Sequence, residues 1–94
     1  MIRCEGPRLS LSGPLTVATA GELASAGQAH VTAGNVVVDL SGVTQVDSAA
    51  LALLLSWVRA ARAAGHRLTI DQPPAALVSL ASLYDVDSIL PLAH

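Results

Sequence analysis

Val36-Val37-Val38-Asp39-Leu40-Ser41-Gly42-Val43-Thr44-Gln45-Val46-Asp47-Ser48-Ala49-Ala50-Leu51-Ala52-Leu53-Leu54-Leu55 is the stretch that decides the fold. Its first five residues form a short apolar run rich in β-branched side chains, broken only by Asp39. Such a run predicts a strand covered on both faces, as in α/β proteins. Ser41-Gly42 signals a turn. A helix follows, with a clearly marked start. Asp47 and Ser48 are both good N-caps, because either side chain accepts a bond from a first-turn backbone N–H that has no partner inside the helix. Asp47 also brings negative charge to the positive end of the helix dipole.

The helix is predicted over about residues 49–64, with Gly65 as its stop. Leu51, Leu54, Leu55, Val58 and Ala61 recur with the helical period and should pack on the sheet, with Trp57 at the border. The opposite face carries Ala49, Ala52, Leu53, Ser56, Ala60 and Ala63, with few charges. Two readings stand. A smooth small-residue face beginning at Asp47-Ser48 suits a docking surface, since exposed faces without charge are unusual. Alternatively, alanine fills the helix because it has the best helix propensity.

Working outward, 94 residues suffice for one small domain, read as spanning residues 1–94. Leu, Ile and Val make up 28 of the 94, well above the level of disordered chains, so a small core is available. Phe is absent, and Trp and Tyr occur once each, which leaves little to stack on nucleic-acid bases. The net charge is −2, Lys is absent, and Arg3, Arg8, Arg59, Arg62 and Arg67 are scattered. This is no basic stripe, and it argues against direct binding of nucleic acid or an anionic membrane. A single cysteine, Cys4, excludes an internal disulfide and a cysteine metal site. No signal peptide is legible at the start, and the longest apolar run, residues 49–55, is too short to span a bilayer. A soluble intracellular protein is expected.

In chain order, Arg8-Leu9-Ser10-Leu11-Ser12-Gly13 alternates as a half-buried strand, Gly13-Pro14 marks a turn, and residues 15–17 read as a second strand closing a hairpin. Thr19 with Glu22 fits a capping box for a weakly held helix over about 20–30, at the sheet margin. After the central strand and helix, residues 67–71 form a strand parallel to 36–40, because the intervening helix supplies the crossover. Pro74 suits the first turn of a last helix whose apolar side is Leu77, Val78, Leu80, Ala81 and Tyr84. Ile89, Leu90 and Leu92 make a short final strand or a closing tail. The fold class is α/β: a small mixed sheet of about four to five strands, helices largely on one side, in the order ββαβαβα.

Little else suggests chemistry. His30, His66 and His94 are too far apart for a local metal motif and read as solvated. Asp39, Asp47 and Asp71 would converge near the C-terminal edge of the sheet, where α/β folds place their sites, but capping and turn roles explain each more simply. No Gly-rich phosphate loop, nucleophile elbow or Cys/His pair is legible. No cofactor, metal site or catalytic residue is expected, and the chain reads as a non-enzyme.

The segment from Asp47 to Leu55, preceded by Val38-Asp39-Leu40-Ser41, resembles the STAS domain family, whose strand ends in Asp-Leu-Ser/Thr and whose next helix opens with Asp-Ser/Thr-x-Gly-Leu. The resemblance covers nearly the whole chain. Ala50-Leu51-Ala52-Leu53-Leu54-Leu55 and the close Leu83-Tyr84-Asp85-Val86-Asp87-Ser88-Ile89-Leu90-Pro91 look most like the small MlaB-type subunit of lipid-asymmetry ABC transporters. Ala50 stands where the family usually has Gly. The resemblance implies a cytoplasmic accessory subunit, peripheral to the inner membrane, that binds an ABC transporter ATPase through Asp47, Ser48, Ala49, Ala52, Leu53, Ser56 and Ala60. The similarity to anti-anti-sigma factors implies the alternative: an antagonist of an anti-sigma factor kinase, with Ser48 as its phosphorylation site. The same uncharged face also suits self-association.

Overall fold

The β-branched run at the head of the deciding stretch lies in the middle strand of a five-stranded sheet. The computed structural model describes residues 2–86, 89 and 90, and the backbone of 92 and 93. The elements are β1 (Ile2–Glu5), β2 (Arg8–Leu15), α1 (Val17–Ala33), β3 (Val36–Val46), α2 (Ser48–Ala63), β4 (Leu68–Asp71), α3 (Ala75–Leu83) and β5 (Leu92–Ala93). Spatial order follows chain order, with β1 antiparallel to β2 and every later pair parallel. The mixed α/β class and the order ββαβαβα hold, and of the two readings of the tail the short final strand, β5, is the one that forms. Asp87, Ser88, Pro91 and His94, which enter the closing motif and the histidine reading, lie outside the described residues.

Because each parallel crossover steps the same way along the sheet and has the same hand, the helices gather on one face. Burial alternates accordingly. Leu9, Leu11, Val36, Val38, Leu40, Leu68 and Ile70 point into the core, while Val37, Asp39 and Asp71 on the other face are half-buried. The central strand is therefore covered on one face by helices, not on both.

Three boundaries differ from the expectation. The hairpin turns at Gly6-Pro7, so Gly13-Pro14 sits inside β2 and Val17 already belongs to α1. Ser41-Gly42 is no turn: β3 runs through it, and the register slips there, with Ser10 opposite Asp39 but Ser12 opposite Gly42. The Asp39 carboxylate accepts from the Ser41 N–H (2.9 Å), which bends the strand locally. Gly42 fits because a Cβ there would stand 3.1 Å from the Leu11 carbonyl oxygen. Finally, α1 is capped by Thr16 rather than Thr19. Thr19 instead sits three residues on, where its Oγ1 accepts from the Thr16 N–H (3.1 Å), and Glu22 is exposed.

The α2 end matches its signal. Gly65 adopts a left-handed φ of 76°, and the Gly65 and His66 N–H groups donate back to Arg62 (3.0 Å) and Ala61 (2.8 Å). The buried side of α2 is Ala50, Leu51, Leu53, Leu54, Trp57, Val58 and Ala61. It is rotated towards Trp57 relative to the expected stripe because α1 lies against that flank. Trp57, 1% exposed, rests on the bare backbone of Gly27, and its indole N–H donates to the Ala24 carbonyl (3.2 Å). The first helix is thus pinned to the second, not held loosely at the margin. In α3, Leu77 and Ala81 face the core, whereas Tyr84, expected on the apolar side, caps the helix and is exposed.

Candidate partner-binding site

Asp47 decides the geometry of the site. One carboxylate oxygen accepts from the Ala49 N–H (2.8 Å), capping α2, and the other accepts from the Val17 N–H (3.1 Å), the first residue of α1. One charged side chain therefore satisfies orphan donors at two helix starts and holds them side by side. It faces inward to the backbone and is half-buried, so its role is to position the surface around it. Asp47 alone is the N-cap. Ser48, the other candidate, is the first helical residue, and its exposed hydroxyl bonds no described residue.

From Ser48 an exposed strip continues through Ala52 to Ser56. Ala49 and Ala60 flank it half-buried. Leu53 does not belong to it. At 4% exposure it lies one turn before Trp57 on the flank that the core claims, so it is a packing residue, not a contact for a partner. Helical periodicity sorts these residues into faces, but which flank α1 covers depends on the Gly27–Trp57 contact, which periodicity does not reveal.

The sequence reading missed the rim. A shallow groove of about 380 Å³ runs along the strip between Ser48, Leu51, Ala52 and Leu55 on one side and Tyr84 and Val86 on the other. Its walls are largely apolar. Leu83 (76% exposed) and Tyr84 (56%) stand at the end of α3, and Val17 (79%) stands at the start of α1 beside Asp47. The signal was present in the spacing of α3: once Leu77 and Ala81 point inward, Leu83 and Tyr84 fall outside that stripe.

The remaining polar groups do other work. Asp39 and Asp71 do meet, in register across β3 and β4, but Asp47 is not with them. Arg8 from β2 bridges the pair, with Nη2 at 2.9 Å from Asp39 and 2.8 Å from Asp71. The Ser41 backbone N–H, then the Ser41 side chain and the Arg8 guanidinium, hold the Asp39 carboxyl below its ordinary value against the opposing push of partial burial. The two carboxylates in turn raise the Arg8 pKa, that of Asp71 first. The result is an ion-paired tie across three strands.

A Cys/His pair, unseen in the sequence, does form: the Cys4 thiol on β1 lies 3.0 Å from His30 Nε2 in the last turn of α1. Their separation of 26 residues hid it. The contact is exposed, and the His30 ring makes no further hydrogen bond among the described residues. Among those residues, no three His, Cys, Asp or Glu side chains come together as a metal site. No described helix is long and apolar enough to cross a membrane.

Comparison with known proteins agrees with this architecture. A search of curated protein sequences finds no match. Among solved structures, a Thermotoga maritima protein designated an anti-sigma factor antagonist superposes with a TM-score of 0.79 at 16% identity, covering 98% of this chain and 83% of its own. The anti-sigma factor antagonist SpoIIAA in its unphosphorylated form gives 0.76 at 12% identity, covering 100% of this chain and 87% of its own. The phosphorylated form of Bacillus SpoIIAA gives 0.73 at 12% identity, with 100% and 90% covered. At these identities the likeness is one of fold. The family model described as "Mlab, STAS domain" matches residues 2–91. With the family's strand–Asp47-Ser48–helix unit at its centre, the chain belongs to the MlaB-type STAS domain family.

Proposed function

We propose that this protein is a non-enzymatic interaction module, an accessory subunit that binds and stabilises or regulates the ATPase of an ABC-type phospholipid transport system. The observation that carries the reading is the Mlab family match over residues 2–91. The strip of Ser48, Ala52 and Ser56 supports it as a surface, being exposed and uncharged and bordered by the apolar groove against Tyr84. A partner meeting small side chains there approaches the helix closely and desolvates no charge, which keeps the cost of docking low. In this reading the protein is cytoplasmic and peripheral to the inner membrane through its partner, and the unit spans residues 1–94.

The test is affinity purification from native cells at native expression, followed by mass spectrometry. An ABC ATPase with its permease is the expected companion. Ser48→Arg or Ala52→Glu should then abolish binding with an unchanged circular dichroism spectrum. Binding retained by both folded variants would move the interface elsewhere.

A second reading, an anti-sigma factor antagonist switched by phosphorylation at Ser48, is favoured by the exposed Ser48 hydroxyl at a helix start. A phosphate there gains from the α2 dipole and is opposed by Asp47 next to it. Incubation with ATP and the kinase that co-purifies, read by intact mass, separates the two. A kinase companion together with a phosphate on Ser48 would replace the transporter reading.

A further inference from the structure

The five arginines divide sharply. Arg3 and Arg8 pair with carboxylates on the sheet. Arg59, Arg62 and Arg67 have no ion-pair partner among the described residues, and all lie near the C-terminal end of α2. A pocket of about 280 Å³ opens there between α2 and the start of β4, lined by Arg62, His66 and Arg67 together with the buried Val58, Ala61 and Leu68. No carboxylate lines it among the described residues.

The backbone holding these groups is well fixed. The left-handed Gly65 reverses the chain, so that the His66 N–H returns to the Ala61 carbonyl. The Arg67 N–H donates to Asn35 Oδ1 (2.8 Å), and its carbonyl accepts from the Val36 N–H (2.9 Å). The helix dipole accounts for one cation in the last turn, Arg62. It does not account for Arg67, which lies beyond the helix on the strand side of the same pocket. Two guanidiniums lining one pocket without a counter-charge repel, and an oxyanion between them removes the repulsion and accepts forked hydrogen bonds from both, against the negative end of the α2 dipole.

We propose that this pocket binds a phosphate-type oxyanion, with Arg62 and Arg67 as the two clamps and a ring N–H of His66 as a further donor. Its volume falls just below the range of about 300–1,000 Å³ typical of drug-sized ligands. The occupant is therefore a small phosphorylated species, or the headgroup of a larger one whose remainder stays outside. The pocket is distinct from the proposed docking strip: Arg62 lies six residues beyond Ser56, the strip's near end, roughly 9 Å along α2 at 1.5 Å per residue.

The experiment has two arms, run on the full chain. Inorganic phosphate is titrated while amide shifts are followed by NMR, and the protein is co-sedimented with phosphatidylcholine vesicles with and without phosphatidic acid. A saturable shift at His66, Arg67 and Leu68 with phosphate supports a soluble ligand, and sedimentation only with phosphatidic acid supports a lipid headgroup. In either arm Arg62→Gln/Arg67→Gln should bind at least about tenfold more weakly, a loss of about 1.4 kcal/mol. Arg3→Gln, which removes the same kind of charge elsewhere, should bind as the wild type does. Both side chains of the double variant are exposed, so its fold is checked by circular dichroism. Failure of the wild type in both arms, or undiminished binding by the double variant, overturns the proposal.

Discussion

Replacing Gly27 with Ala should destabilise the protein, although helix propensity argues the reverse. In the middle of α1 the substitution would normally gain about 1 kcal/mol. Here the added Cβ would collide with the six-membered ring of Trp57, standing 2.6 Å from Cε2 and 2.7 Å from Cη2, where carbon atoms prefer about 3.5–4.0 Å. The ring has nowhere to go, because Trp57 is 1% exposed and Leu54, Val58 and Ala61 around it on α2 are buried as well. The two helices must separate or the indole must leave its rotamer, a cost of about 1–3 kcal/mol. The bond from the indole N–H to Ala24 is then lost, at about 1 kcal/mol. The net loss is about 2 kcal/mol, equivalent to a fall in Tm of roughly 8–16 °C for a domain of this size. Urea and thermal unfolding by circular dichroism, with Trp57 fluorescence as a second probe, measure it. A cycle with Trp57→Leu isolates the cause: in that background Gly27→Ala should be close to neutral or stabilising. If Gly27→Ala raises stability in the wild type by its propensity gain, the close approach of α1 and α2 described here is wrong.

Other perturbations have equally definite outcomes. Asp47→Asn leaves one acceptor oxygen for two helix starts and removes the charge, so it should cost about 1–2 kcal/mol in urea unfolding. Because the folded Asp39 carboxyl titrates below its unfolded value of 3.8, its contribution is complete above that value and disappears as pH falls through the lower, folded one. Acid unfolding should therefore steepen below about pH 4, and Asp39→Asn should flatten that limb. Leu53→Glu should lose the fold itself, at about 3 kcal/mol or more for a carboxylate forced into the core. Ala52→Glu, one residue away on the exposed strip, should leave the Tm within about 2–4 °C of the wild type.

How much of this was legible in the sequence depended on the range of the interaction. Local chemistry read well. The β-branched run, the Asp47 cap, the Gly65 stop and Pro74 each act within a turn of the chain, and each marked its element. Where a local signal met a tertiary contact, the contact decided. Thr16 caps α1 in place of Thr19 because β2 extends to Leu15 and delivers the chain directly into α1. Ser41-Gly42 carried a turn signal, but the pairing of β3 with β2 absorbed it as a register slip. The candidate site was half-legible for the same reason. Ser48, Ala52 and Ser56 share a face by helical geometry alone, while the burial of Leu53 follows from the helix lying beside it. Gly27 carries no signal of its own in the sequence, and its bare backbone is where α1 and α2 meet.

The two ends of α2 carry opposite chemistry, and that arrangement has a consequence for how the proposed sites interact. At its start Asp47 is turned inward onto the Val17 and Ala49 N–H groups, and the exposed strip of Ser48, Ala52 and Ser56 carries no charge of its own. At its end Arg62 and Arg67 are free of carboxylates among the described residues. Between them runs a continuous helix whose buried side is locked against α1 and the sheet. Coupling between distant sites requires an element with two arrangements that both ligands bias. A packed helix with one arrangement transmits little, and from Ser56, the near end of the strip, to Arg62 is six residues, roughly 9 Å, so direct electrostatic coupling is screened by about one Debye length at physiological salt. A partner on the Ser48–Ser56 strip and an oxyanion at Arg62–Arg67 should therefore bind together and independently. The partner's Kd should be the same with the pocket filled or empty, and by linkage the oxyanion's affinity should not change when the strip is covered. A reciprocal shift of tenfold or more would mean that α2 moves as a unit between two packings against α1, and the Gly27–Trp57 contact is where that movement would register.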